Sequence, residues 1–192
     1  MIEKIEKYLE KIFAKNNHRL EHILSVKKVA VELAKIHNFD EEKVIIAALL
    51  HDATKNLSRK ENLEIVKNCF NEEELKALPA DCLHAYSASI IAETEFGIID
   101  SDILNAIKYH CAGRPKMSKL EKIIFVSDFI EDGRDFVSDE FREHAKTNLT
   151  KATYEIMLKT KEYLIKNNRV VANTTETAIE EYKKELEELN DR

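Results

Sequence analysis

The sequence has no tryptophan, 3 glycines, 2 prolines and 3 cysteines among its 192 residues, and each shortage removes a class of answer. A chain this poor in turn formers cannot make the many tight reversals that a sandwich or barrel of short strands needs, so helices are expected. Cys69, Cys82 and Cys111 are odd in number, and none stands in a Cys-x-x-Cys pair. A disulfide framework is therefore not expected, and a reducing, cytoplasmic setting is. The longest apolar run is the seven residues from Val44 to Leu50, far below the roughly 20 of a membrane span. Met1 to Lys15 threads Glu and Lys through its apolar positions and offers no signal-peptide core. No Gly-x-x-x-x-Gly-Lys loop and no Gly-x-Gly-x-x-Gly turn occurs, which removes P-loop and dinucleotide-fold sites. A net charge of −6 leaves no broad basic face for nucleic acid or an anionic membrane. No internal repeat or low-complexity segment interrupts the chain.

What is present reads as one soluble domain, with 44% hydrophobic and 34% charged residues. Ile2, Ile5, Leu9, Ile12 and Phe13 have helical spacing over about 2–14. Asn17 or His18 is expected to cap a second helix running to about His37, in which His22 shares a stripe with Val26, Val29 and Leu33. Asp40 caps the next. Ser58-Arg-Lys-Glu61 and Ser118-Lys-Leu-Glu121 are capping boxes, the first opening a helix to about Phe70. Residues 71–78 are expected to form a further turn or short helix. A helix over about 82–96 carries His84 and stops near Gly97. Asp100 caps one that ends at His110. The helix after Ser118 carries Leu120, Ile124 and Asp128, with Gly133 closing it. One long helix is expected over about 138–166. After a linker, Asn173 opens a last helix whose stripe of Ile179, Tyr182, Leu186 and Leu189 should dock on the domain or on a partner, with a homodimer left open.

The chemistry starts at Val44-Ile-Ile-Ala-Ala-Leu-Leu-His51-Asp52. A buried helix should not end in two ionisable groups unless something pairs with them. A divalent cation would satisfy both, because neutral imidazole and carboxylate are ordinary ligands for such an ion. Composition alone gives a His-Asp pair about 0.4 times in a chain like this, so the dipeptide is weak evidence. Its weight comes from agreement elsewhere. His22, His84, His110 and Asp128 each fall on, or at the end of, an apolar helix face, and unpartnered buried polar groups are rare. A Cys/His zinc site from Cys82, His84, His110 and Cys111 does not match finger spacing. A catalytic Cys111 is not expected either, since it and His110 should point apart at a helix end.

The order His22, His51-Asp52, Asp128 resembles the HD-domain metal phosphohydrolases. Arg19-Leu-Glu-His22, His51-Asp-Ala-Thr-Lys55, Leu83-His84, Tyr109-His-Cys-Ala-Gly-Arg114 and Asp128-Phe-Ile-Glu-Asp-Gly-Arg134 are similar to its YqeK branch, which hydrolyses diadenosine tetraphosphate symmetrically to two ADP. The sequence departs from that branch at Cys111, where a hydroxyl residue is common, in Ser127-Asp128-Phe129 and at Asp132. No charged motif position is affected. The resemblance implies an all-α, HD-domain-like helical bundle with a C-terminal helical extension: a single domain over 1–192, its core at about 18–136 and its C-terminal helices at about 138–192.

The resemblance also implies a metal held by His22, His51, Asp52 and Asp128, with iron the usual ion, in a centre of one or two ions. Asp52, His84 and His110 are the implied catalytic residues. Arg19, Lys55, His84, His110, Asp128 and Arg134 would meet the substrate, a dinucleoside polyphosphate. His84 and His110 could instead hold a second ion. Two rivals stand beside this reading. One is another HD-type activity, a nucleotidase or phosphodiesterase. The other is a non-catalytic nucleotide-binding protein, which has no need of so many inward ionisable groups.

Overall fold

A computed structural model of the chain describes residues 1–70, 73 and 78–190. Among the described residues there is no strand, and ten α-helices follow one another. They are α1 (Ile2–Ile12), α2 (Asn17–Ile36), α3 (Glu41–Leu50), α4 (Arg59–Val66), α5 (Leu83–Phe96), α6 (Ser101–Tyr109), α7 (Lys119–Ile130), α8 (Asp139–Thr147), α9 (Leu149–Lys166) and α10 (Asn173–Asn190). A 3₁₀ turn at Ala80–Cys82 leads into α5. The chain is all-α, as its composition implied.

The bundle is built around α3. Val44, Ala47, Ala48, Leu49 and Leu50 are fully buried, because a helix that is apolar on nearly every side has to be surrounded. Helices α1, α2, α5, α6 and α7 do the surrounding. Asp40 starts α3 by accepting from the backbone N–H of Glu42 and Lys43, and Glu41 and Glu42 suit the positive end of the helix dipole. Both capping boxes form, at Ser58/Glu61 and at Ser118/Glu121. Glu121 is buried because it also takes a two-pronged ion pair from Arg114, at 2.7 and 3.0 Å. Arg114 therefore serves the frame.

Local competition shifts several expected boundaries. Asn16, one residue before the expected caps, accepts from Arg19 N and starts α2. Helix α4 stops at Val66, short of Phe70. Glu131, with extended ψ, ends α7, and Gly133 serves instead as a donor to the Glu131 carboxylate at 2.7 Å. The single helix expected over 138–166 is two, because Asn148 leaves helical geometry and caps α9 by accepting from Lys151 N. The turn or helix expected over 71–78 lies outside the described residues except at 73 and 78. The last helix docks on the domain itself. Tyr182 is buried and its hydroxyl accepts from Met117 N at 2.9 Å, while Thr175 donates to Ala112 O at 2.6 Å. Leu189, at the far end of the stripe, stays exposed.

Two glycines separate conformation from crowding. Gly97 (φ 67°) ends α5 with open space where a Cβ would lie, whereas at Gly113 (φ 66°) a Cβ would overlap Met157 Cε. Met157 is itself fully buried. Gly97→Ala should cost about 1–2 kcal/mol, the left-handed penalty alone. Gly113→Ala should cost about 2–5 kcal/mol, since overpacking adds to it. Urea denaturation of both variants measures the difference, and equal losses would refute the crowding argument.

Candidate metal centre

Six ionisable side chains from five helices or their ends meet beside α3. His22 comes from the buried face of α2, where Val26, Val29 and Leu33 hold the stripe inward. His51 and Asp52 follow the last turn of α3. His84 opens α5, His110 follows the last residue of α6, and Asp128 lies in the last turn of α7. His22, His51, Asp52, His84 and His110 are all buried, with Asp52 3% exposed.

Asp52 sits between two sets of donors. Its Oδ2 lies 3.6 Å from His22 Nε2 and 3.7 Å from His51 Nε2, and His22 Nε2 is 3.2 Å from Asp128 Oδ1. Its Oδ1 lies 3.0 Å from His84 Nε2 and 3.6 Å from His110 Nε2. These approaches do not have hydrogen-bond geometry. His22 Nε2, His51 Nε2 and Asp52 Oδ1 are buried without a hydrogen-bond partner among the described residues. Buried polar atoms seldom go unpaired. That these three converge on one space is what a cation-binding centre requires, and nitrogen and oxygen donors suit a divalent transition ion.

The outer contacts fix the rings. His51 Nδ1 donates to Ala48 O at 2.6 Å and His110 Nδ1 to Ile107 O at 2.7 Å. A carbonyl can only accept, so each ring presents an unprotonated Nε2 to the cluster when it is neutral. His22 Nδ1 lies 3.3 Å from the Glu131 carboxylate, which has the same effect. Glu131 is buried, and it also receives the Gly133 N–H. The turn after α3 is pinned by Thr54, which donates to His84 O at 2.7 Å, and by Asn62, which bonds Ser87 and Leu57 O. Arg142 binds the carbonyls of Ile130, Glu131, Arg134 and Val137 and so holds the segment that carries Glu131 and Arg134.

Every site residue expected from the sequence reaches this place. Arg19 donates to Asp52 Oδ2 at 2.6 Å. Arg134 donates to Asp128 Oδ1 at 3.0 Å. Lys55 Nζ lies 3.1 Å from His84 Nε2. The sequence reading missed Glu131, although its spacing of three from Asp128 on one helix was a usable signal, and it misplaced Cys111. Helix α6 ends at Tyr109, and the chain then turns so that His110 and Cys111 point the same way. Cys111 Sγ lies 3.2 Å from His84 Nε2 and 3.3 Å from His110 Nε2. Three overlapping groups of donors could hold an ion: His22, His51 and Asp128; His51, Asp52 and His110; and His84, His110 and Cys111.

The electrostatics divide the cluster. Burial pushes His51 down to about 4. Burial would raise Asp52, but the imidazoles of His51, His110 and His84 hold its carboxyl well below the usual range. Burial likewise opposes the charged form of Asp128, yet His22, His51, His110 and Arg134 keep it low. Burial would lower His84 and His110, and the Cys111 and Asp52 charges overcome it and raise both. The neighbouring Cys82 thiol and the two histidines lower Cys111, against its burial, while the Cys111 sulfur and burial raise Cys82.

In the presence of a chelator, His51 should make the protein acid-sensitive. Between its ordinary value near 6.5 and about 4, the unfolded chain binds a proton that the folded chain refuses. Stability should therefore fall as pH falls through that window, by up to about 1.4 kcal/mol per pH unit. His84 and His110, being raised, act elsewhere: their contribution is full below about 6.5 and is lost as pH rises through their folded values. Thermal melts between about pH 7 and pH 4 should show a shallower decline for His51→Gln than for the parent. Parallel curves would refute a neutral buried His51.

The comparisons with known proteins agree with this geometry. The HD domain model matches residues 19–186. A symmetrical bis(5'-nucleosyl)-tetraphosphatase of Staphylococcus aureus is 36% identical over 176 residues, 90% of this chain and 91% of that protein. The enzymes of the same name from Bacillus subtilis and Halalkalibacterium halodurans are 37% and 35% identical, each over 80% of this chain and 83% of theirs. The crystal structure of a predicted HD superfamily hydrolase involved in NAD metabolism, from Clostridium acetobutylicum, superimposes with a TM-score of 0.88 at 36% identity, covering 96% of this chain and 98% of that one. A helical frame that gathers His22, His51, Asp52 and Asp128 in this order, and these likenesses over most of its length, make the chain a member of the HD-domain family, on the branch of the symmetrical bis(5'-nucleosyl)-tetraphosphatases.

Proposed function

We propose that this protein is a cytoplasmic, metal-dependent hydrolase that cleaves diadenosine tetraphosphate between its second and third phosphates to give two ADP. The observation that carries the reading is the buried Asp52 carboxylate, whose Oδ2 faces His22 and His51 and whose Oδ1 faces His84 and His110. The names of the bacterial relatives support the substrate. His22, His51, Asp52 and Asp128 would hold a divalent cation, and we take iron to be that ion by family likeness. A bound cation supplies Lewis acidity and a water acidified to a pKa of about 7. The whole chain works as one domain. Leu189, 58% exposed near the end of the last helix, is an apolar side chain that a second copy would cover in a homodimer.

Hydrolysis adds the oxygen of water to one central phosphorus, breaks its bond to the bridging oxygen, and leaves the electron pair on ADP. The work of the chain is to neutralise phosphoryl oxygens and place them. Arg19 spends one N–H on Asp52 and keeps others for phosphate. Arg134 sits over Asp128 with the planar fork that suits two phosphate oxygens, and Lys55 adds a point charge. With one ion bound, His84 and His110, both raised, would hold protons that can pass to the leaving oxygen; a second ion on their Nε2 atoms would take the place of those protons.

Beside Arg134 a cavity of about 680 Å³ opens between α7, α8 and α9, within the roughly 300–1,000 Å³ usual for small-molecule sites. Phe129, Phe136, Phe141, Lys159 and Tyr163 line it. Phe136 and Tyr163 are 68% and 58% exposed, so their faces are free to stack on a base. We place one adenosine half of the substrate there, with Arg134 at the junction between nucleoside and phosphates.

Chromatography of the products should show ADP alone, and ATP plus AMP would overturn the symmetrical reading. Asp52→Asn should lower kcat by at least about 100-fold and reduce bound metal; retention of both would refute the centre. Phe136→Ala should raise KM by roughly 5- to 100-fold, the value of one stacking contact, with kcat little changed. An unchanged KM would move the nucleoside elsewhere.

A further inference from the structure

We propose that Cys111 is a thiolate ligand of a second ion, held with Asp52, His84 and His110, so that the two halves of the centre differ in ligand chemistry. The proposal rests on the reading of the cluster as a cation site, and goes beyond it by assigning a sulfur donor and hence a preference among ions.

The geometry is that of a coordination shell. With bonds of about 2.0–2.1 Å to nitrogen or oxygen and about 2.3 Å to sulfur, the corners of a tetrahedron lie about 3.3–3.6 Å apart. His84 Nε2 and His110 Nε2 are 3.3 Å apart. Cys111 Sγ lies 3.2 and 3.3 Å from them. Asp52 Oδ1 lies 3.0 and 3.6 Å from the same two nitrogens. The His84–His110–Cys111 triangle thus has the edges of one face of such a shell, and Asp52 Oδ1 approaches its His84–His110 edge. An independent sign is Asp52 Oδ1 itself, which is buried, aimed into this group and without a hydrogen-bond partner. Its other oxygen is taken by Arg19 and the first set of donors. The carboxylate is thus placed to bridge two ions.

The surroundings favour a sulfur ligand. His110 is held by Ile107 O so that Nε2 faces inward. Cys82, buried in the small cluster with Leu83, Tyr86 and Ala112, packs with Cys111 and backs it, as outer contacts commonly do for a ligand. Lys55 Nζ reaches the same His84 nitrogen, so loading this subsite requires Lys55 to swing away, towards substrate phosphates. One sulfur among nitrogen and oxygen donors selects a borderline ion such as Zn²⁺, Co²⁺ or Fe²⁺ over Mg²⁺ or Mn²⁺. The set of His22, His51, Asp52 and Asp128, which lacks sulfur, does not make that distinction as strongly.

Cobalt titration of the chelator-stripped full chain tests this without any turnover assay. The parent should bind two Co²⁺ per chain, and a thiolate-to-cobalt charge-transfer band in the near ultraviolet should grow with one of them. Cys111→Ser should lose that band and weaken one of the two binding steps by at least about 10-fold, while circular dichroism and the other step report an intact fold. Cys69→Ser and Cys82→Ser should keep the band. One ion per parent chain, a band that survives in Cys111→Ser, or a band that disappears with Cys82→Ser would overturn the assignment. A failure of the diadenosine tetraphosphate assay would leave the titration result standing, so the two readings fail separately.

Discussion

The structure depends on one constraint: the Asp52 carboxylate lies at the end of an apolar helix where water cannot solvate it. Removing a charge from water costs several kcal/mol even after relaxation, and only close, well-oriented partners recover it. The sequence places that carboxylate directly after α3, whose residues from Ile46 to Leu50 are all buried. The helices packed on α3 therefore had to bring donors with them. Helix α2 brings His22 and Arg19, α5 brings His84, α6 brings His110, and α7 brings Asp128. The bundle that buries the apolar face of α3 also assembles the shell around its polar end, so the fold and the centre share one solution.

Much of the remaining polar structure keeps that shell from relaxing. The i−3 carbonyls beneath His51 and His110, the Glu131 carboxylate beneath His22, and the Thr54–Ser87–Asn62 network under the turn after α3 each remove a rotation that would let a donor drift. Arg142 does the same for the backbone, binding four carbonyls in the segment from Ile130 to Val137. These residues touch neither phosphate nor ion in the proposed reaction. Their role is positional accuracy, which governs both metal affinity and rate when catalysis is mostly placement and charge neutralisation.

The charged residues divide by burial. Arg19, Lys55 and Arg134 lie at the partly exposed edge, able to exchange a carboxylate or imidazole partner for a phosphate. Arg114, whose residue type and motif position resembled theirs, is committed to the buried Glu121 and to the face of Tyr109. Residue type and spacing do not separate Arg114 from Arg134, because both follow a helix end near a glycine; only the family resemblance singled out Arg134. The difference is a buried carboxylate on a neighbouring turn, which only the packing reveals.

The sequence by itself determined the helical class, most of the caps and the inward polar positions. Those are local properties: turn-former content, a capping residue at its fixed offset, and a histidine on the same stripe as Val26 and Leu33. Local signals also misplaced the start of α2, the end of α7 and the break at Asn148, where neighbouring residues compete for one cap and tertiary contacts choose. The tertiary structure decided what a one-dimensional pattern cannot hold. It put Glu131 beneath His22, it set Arg134 beside an aromatic cavity, and it turned the chain after Tyr109 so that His110 and Cys111 face one space. Adjacent residues in a regular helix diverge by about 100°. Beyond a helix end the turn geometry sets their directions, and here that turn is fixed by the docking of Thr175 and Tyr182 from the last helix onto Ala112 and Met117.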